Sequence, residues 1–176
     1  MKVSMTPIDF AAQTQCPVAR AGNIFGDVWS LLVLRELSAG NHRFDEIQAM
    51  TGATPQMVAV RLKKLDAAGL VERRRYQERP ARYEYLLTEK GADVFPILMA
   101  MRAWGEKWLR LPGEEPSITF KHKGCGRPTG FGPLCDYCGQ LLRSDDLDRG
   151  YSPAATAERE ARRTALKESR ARTARI

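Results

Sequence analysis

Four side chains in the second half of the chain, His122, Cys125, Cys135 and Cys138, follow the pattern His-x2-Cys-x9-Cys-x2-Cys. Imidazole nitrogen and thiolate sulfur are the ligands zinc prefers, and two pairs, each separated by two residues, can turn four such atoms toward one tetrahedral ion. Gly124, Gly126 and Gly139 supply the backbone freedom that such tight turns need. Four protein ligands leave no vacancy for water or substrate, so the expected cofactor is a structural zinc ion and no catalysis is expected. Two other readings stand beside it. A loop can carry a cysteine pair with no metal, and Cys135-Asp136-Tyr137-Cys138 has the spacing of a thiol redox pair. That redox motif, however, belongs at the start of a helix following a strand, and the sequence offers no such setting.

The fourth cysteine, Cys16, stands apart, directly before Pro17 and an expected helix start, where the helix dipole favours a thiolate. It reads either as a reactive thiol or as a small buried residue packing the first helix on the second.

A second group of residues is suited to polyanions. Thr54 caps a helix whose first residue is Pro55, and Val58, Leu62 and Leu65 mark the face of that helix that packs inward. At about 100° per residue, Gln56, Val60, Lys63 and Lys64 fall on the opposite face, with Met57 and Arg61 on its shoulder. Gln56 can read a base edge, Met57 and Val60 can meet thymine methyls, and Arg61, Lys63 and Lys64 can neutralise phosphates. Two expected strands, residues 70–76 and 81–87, make a hairpin bearing Arg73, Arg74, Arg75, Arg79 and Arg82. Arg73 and Arg75 have Glu72 and Glu84 as neighbours to pair with, so Arg79 and Arg82 near the tip are the better phosphate ligands. Three short helices, the third presenting a basic face, followed by such a hairpin, is the order of a winged helix-turn-helix, and the expected partner is double-stranded DNA.

The elements that position these residues read clearly. Ile24, Phe25, Val28, Leu31, Leu32 and Leu34 recur near helical spacing, and Gly26-Asp27 predicts a break between a short helix and a longer one capped by Asp27. Phe44, Ile47 and Met50 mark a further short helix, stopped by Gly52. After the hairpin, Thr88 caps an expected long helix whose Val94, Ile97, Leu98, Met101, Trp104 and Trp108 form an apolar stripe, with a kink expected at Pro96. The stripe extends beyond what three short helices can cover and asks for a second copy of the chain. A strand is expected at 118–120 before the cysteine cluster.

With 176 residues the chain can bury a core without staples. Its formal charge is +7, and residues 158–176 hold seven basic and three acidic residues, which puts over half of that excess in the tail. The tail has helical propensity but almost no apolar face, so it is expected to be solvated, whether helical or disordered. No leader pattern and no membrane-length apolar run is visible, and a cytoplasmic protein with reduced thiols is expected.

The segments CPVARAGNIFGDVWSLLVLREL, HRFDEI, RLKKLDAAGLVERRRY and YEYLLTEKG together resemble the HxlR family of bacterial transcriptional regulators, over about Cys16 to Trp108. The resemblance implies a homodimeric winged-helix DNA-binding protein, usually a repressor, whose terminal helices pair across a two-fold axis. Some members are similar in using a cysteine at the Cys-Pro position to sense oxidants or electrophiles. The expected fold class is α+β, mainly α: a winged helix-turn-helix with a long C-terminal dimerisation helix and a small cysteine-containing hairpin appendage. The expected division is an N-terminal arm over 1–15, the DNA-binding and dimerisation domain over 16–111, a Cys/His hairpin as zinc knuckle over 112–150, and a basic tail over 151–176. The competing functions are a thiol redox protein and a zinc-clipped protein-interaction module. A redox or small-molecule effector is compatible with all of this, but no polar constellation marks a pocket for one.

Overall fold

A computed structural model describes residues 13–173. Most of the expected N-terminal arm, residues 1–12, and the last three residues of the basic tail lie outside the described residues.

The body begins with four helices: α1 (Pro17–Phe25), α2 (Val28–Ser38), α3 (Phe44–Thr51) and α4 (Pro55–Ala67). Proline opens α1 and α4, where its missing N–H costs nothing. Asp27 caps α2 by accepting from the Ser30 N–H, and Thr54 caps α4 by accepting from the Met57 N–H at 3.3 Å. The chain leaves α4 through Gly69 at φ 71°, a left-handed turn that favours glycine, and enters the antiparallel hairpin of β1 (Val71–Gln77) and β2 (Arg82–Leu87). A single bridge between Arg43 and Glu84 ties the start of α3 to the outer edge of this hairpin.

Leu34, Ile47, Val58, Leu62, Leu65, Leu70 and Val71, each at most 2% exposed, form the core that α2, α3, α4 and β1 share. Each such side chain contributes about 1.5–3 kcal/mol by leaving water. This core holds α4 by one face only and leaves the opposite face free.

The long kinked helix expected from Thr88 is instead two helices, α5 (Glu89–Ala92) and α6 (Phe95–Trp108). Pro96 sits in the first turn of α6, the place in a helix that tolerates proline, so the chain breaks before it rather than bending around it. Gly91 fixes the position of α5: a Cβ there would lie 2.0 Å from the Leu70 carbonyl oxygen, and only glycine allows the backbones to approach so closely.

Beyond α6 a second, three-stranded antiparallel sheet has the order β4 (Arg127–Pro128), β3 (Ile118–His122), β5 (Leu147–Tyr151). Its core of Phe120, Cys135, Leu142 and Leu147 is completed by Phe95 and Met99 of α6. This small unit, called the clip below, is therefore packed against the body through α6.

From Pro153 to Thr173 the tail is one helix, α7, capped by Ser152 and packed along α3. Ala155, Arg159, Arg162 and Leu166 recur at helical spacing on its partly buried side. The contacts are made by arginines: Arg159 pairs with Glu36 at 2.9 Å, Arg162 donates to the Met50 carbonyl at the end of α3, and Arg170 pairs with Asp45. An expectation of a solvated tail from its lack of apolar residues overlooks that guanidiniums can dock on buried carboxylates and helix C-termini.

Candidate nucleic-acid interface and cysteine cluster

On α4 the outward residues divide into two sets. Gln56, Val60 and Lys63 are exposed, Val60 to 50%, and Lys63 has no acidic partner among the described residues. Met57 is partly packed on the core, and Thr54 is occupied in capping the helix. Arg61 turns back to the α1–α2 junction, its Nε 2.7 Å from Asp27 Oδ1, and Lys64 lies 3.9 Å from the same carboxylate and 3.5 Å from the Ile24 carbonyl. Asp27 thus caps α2 and anchors α4 at once. Partial burial would raise its carboxyl, but hydrogen bonds from Ser30 and Arg61 outweigh that and hold it below its ordinary value. Three residues expected to touch DNA therefore already have structural work: Thr54, Arg61 and Lys64.

On the hairpin, Arg74 pairs with Glu84 at 2.9 Å, Arg75 pairs with Glu78 at 3.1 Å, and the Arg73 guanidinium stacks 3.5 Å above the centre of the Tyr83 ring. Arg79 and Arg82 are exposed and have no carboxylate partner among the described residues. The structure adds Arg43, which lies over the Tyr76 ring at 5.1 Å and joins the same edge. Its place was hidden because the Arg43–Glu84 bridge is formed across 41 positions of sequence.

Cys16 is exposed and is the N-cap residue of α1, although its side chain makes no capping hydrogen bond. The buried packing role does not apply within this chain.

The cysteine cluster is assembled at one end of the clip. β3 delivers His122 at its last position, the turn to β4 carries Cys125, and the loop closed by the Leu134–Leu141 bridge carries Cys135 and Cys138. His122 Nδ1 is 3.4 Å from both the Cys125 and the Cys138 sulfur, and the Cys125 and Cys135 sulfurs are 3.7 Å apart. All four ligand atoms lie within 4.8 Å of one another. A disulfide would need about 2.05 Å, whereas a tetrahedron with metal–sulfur bonds of about 2.3 Å has edges near 3.8 Å. The cluster is thus one that could hold a metal ion. The backbone N–H groups of Cys138 and Tyr137 point to the Cys135 sulfur and bring its thiol down to about 6, against the opposing effect of burial.

Comparison with known proteins bears on the helix-hairpin body. The HxlR-like helix-turn-helix family profile matches residues 24–112, half of the chain. The HTH-type transcriptional regulator Rv3095 of Mycobacterium tuberculosis is 36% identical over 141 residues, covering 80% of this chain and 89% of that protein. A Synechocystis HTH-type regulator, sll1512, is 34% identical over 119 residues, covering 67% of this chain and 82% of that protein. Among solved structures, PA1607 is similar at a TM-score of 0.62 and 34% identity, covering 76% of this chain and 93% of that one. The redox regulator HypR in its oxidised form is similar at a TM-score of 0.51 and 32% identity, covering 55% of this chain and all of that one.

The fold and the helix-hairpin surface define the winged helix-turn-helix class of DNA-binding transcriptional regulators. Within that class the chain belongs to the HxlR family. No described helix is long and apolar enough to cross a membrane.

Proposed function

We propose that the chain acts as a homodimeric, sequence-specific repressor that sets two copies of α4 into successive major grooves of a palindromic operator. The observation that carries this is the pairing of one uncommitted helix face, Gln56, Val60 and Lys63, with a hairpin whose tip arginines, Arg79 and Arg82, have no counter-charge among the described residues. Gln56 and Val60 read bases; Lys63, Arg79 and Arg82 take phosphates. The dimer is supported by α6 and the residues after it, where Ile97, Met101, Trp104, Trp108, Leu109 and Leu111 are 43–68% exposed, an apolar surface too large to leave in water. Operator selection from a random DNA pool should yield a two-fold symmetric site. Lys63→Ala should lower the slope of log affinity against log salt by about one. A complex insensitive to salt would overturn the reading.

The clip, in this reading, is closed by structural zinc on His122, Cys125, Cys135 and Cys138. The three contact distances and the convergence of all four ligand atoms within 4.8 Å support it. Cys16, exposed at the start of a helix, is the thiol suited to report oxidants, as the similarity to the redox regulator HypR suggests. Oxidation with diamide should change operator affinity in the parent chain and leave Cys16→Ser unaffected.

A further inference from the structure

Where the body, the clip and the tail meet, α2, α3, α6, β3, β5 and α7 line a cleft of about 310 Å³. Its floor is apolar, built from Leu32, Phe95, Ile118 and Phe120. Its walls carry four guanidiniums, Arg35, Arg149, Arg159 and Arg162, and two carboxylates, Glu36 and Glu158, so the lining has two more positive than negative charges.

The pairing inside the cleft shows where the excess lies. Glu36 is shared by Arg35 at 2.7 Å and Arg159 at 2.9 Å, and Glu158 is taken by Arg162. Among the described residues Arg149 bonds only neutral acceptors, the Ser38 carbonyl at 2.8 Å and the carbonyl and hydroxyl of Ser144. Arg159 stacks over the Tyr151 ring at 5.1 Å, and the one carboxylate it pairs with, Glu36, also serves Arg35. Two cations without full compensation therefore stand over an aromatic and aliphatic floor.

We infer that this cleft is a binding site for a small organic monocarboxylate, with its apolar part on Phe95 and Phe120 and its carboxylate between Arg149 and Arg159. A convergent pair of charges above an apolar floor is the usual composition of a small-molecule site, and the volume falls in the usual range. Free phosphate fits less well, since it would leave the floor in water. The site is separate from the DNA-reading face and does not depend on the function proposed for it.

Isothermal titration calorimetry of the full chain with sodium phenylacetate and sodium octanoate, at low ionic strength, tests this without operator. At least one acid should bind once per chain with Kd below about 1 mM, and neutral phenylacetamide should bind at least roughly tenfold more weakly, the scale of a lost charge-assisted hydrogen bond. Arg149→Gln should weaken the acid by a similar factor, while Arg149→Lys should stay within a few-fold. Because Arg149 also bonds the Ser38 carbonyl, Ala155→Trp serves as a second variant: it fills the cleft from α7 and should abolish binding with the cations intact. The inference is overturned if neither acid binds at millimolar concentration, if the amide binds as well as the acid, or if Ala155→Trp leaves the affinity unchanged.

Discussion

The body and the clip-with-tail hold themselves together by different physics. In the body, α2, α3, α4 and β1 close over nine large or branched apolar side chains that are at most 2% exposed, Val33 and Leu37 among them. The clip has four such side chains of its own chemistry only if Cys135 is counted with Phe120, Leu142 and Leu147, and it borrows Phe95 and Met99 from α6. The tail helix has fewer still and is moored by Arg159, Arg162 and Arg170. Apolar burial is non-directional and adds up over many contacts, so the body should yield gradually to mutation. The clip and tail rest on a few directional contacts and should fail one contact at a time.

The largest expected effect comes from removing the ligand cluster. On the zinc reading proposed above, metal binding and folding of so small a unit are one equilibrium, with apparent metal-binding energies of about 10 kcal/mol or more for comparable zinc modules. Cys135→Ser, or chelation of the parent chain, should collapse the chemical-shift dispersion of residues 118–151 while residues 28–87 keep theirs. If the body melts together with the clip, the two regions are one cooperative unit and the contrast drawn above is wrong. For scale, Leu34→Ala in the body should cost about 2–5 kcal/mol and lower the urea midpoint of the whole body without freeing the clip first.

This contrast also explains what was legible in the sequence. Periodic apolar residues, Asp27 and Thr54 at helix starts, Pro55 and Gly69 at helix ends, and the Leu-Arg-Glu-Leu and Leu-Thr-Glu-Lys-Gly segments all act locally, so the helix order and hairpin can be read from them. The grouping of His122, Cys125, Cys135 and Cys138 could be read as well, because their spacing is itself the signal. The long-range polar pairs could not. Nothing near Arg61 announces that Asp27, 34 positions earlier, will hold it, and nothing near Arg159 announces Glu36, 123 positions earlier. An arginine in a charged, alanine-rich helix looks solvated until its distant partner is known. The same blindness hid the cleft, whose lining comes from six elements and becomes a site only when α7 docks. The break before α6 was obscured for a different reason, since a proline within an apolar helical pattern reads equally as a kink or as a restart.

Next in size is the mooring of α7. Glu36 is fully buried, and removing one partner from a buried ion pair costs up to about 3–5 kcal/mol when nothing else holds the remaining charge. Arg35 and Asn41 also hold Glu36, at 2.7 and 2.6 Å, so Arg159→Leu should fall below that range, about 1–3 kcal/mol. Its signature is local: trypsin should cut within residues 153–173 much faster than in the parent, while the salt-dependent affinity for operator keeps its slope. Equal protection of the tail in parent and variant would show that α7 is held by something other than this pair.

The smallest expected effect is the acid limb of stability, and it separates the two regions without any substitution in the body. Burial by itself would raise the Glu36 carboxyl, but the Arg159 hydrogen bond and the charges of Arg35 and Arg159 outweigh it and hold the group below its ordinary value of 4.5. A carboxyl depressed in the folded state contributes stability that is fully present above the unfolded value and is lost as pH falls through the folded one. Attachment of α7 should therefore be constant from neutrality down to about pH 5 and weaken below it, a loss that hydrogen exchange of α7 amides would follow. Asp27, depressed by Ser30 and Arg61, obeys the same rule, but it links α4 to α2 inside the body, where the apolar core carries most of the stability. Exchange in α7 should accordingly be more sensitive to acid than exchange in α4, and Arg159→Leu should reduce the pH dependence of the first while leaving that of the second in place.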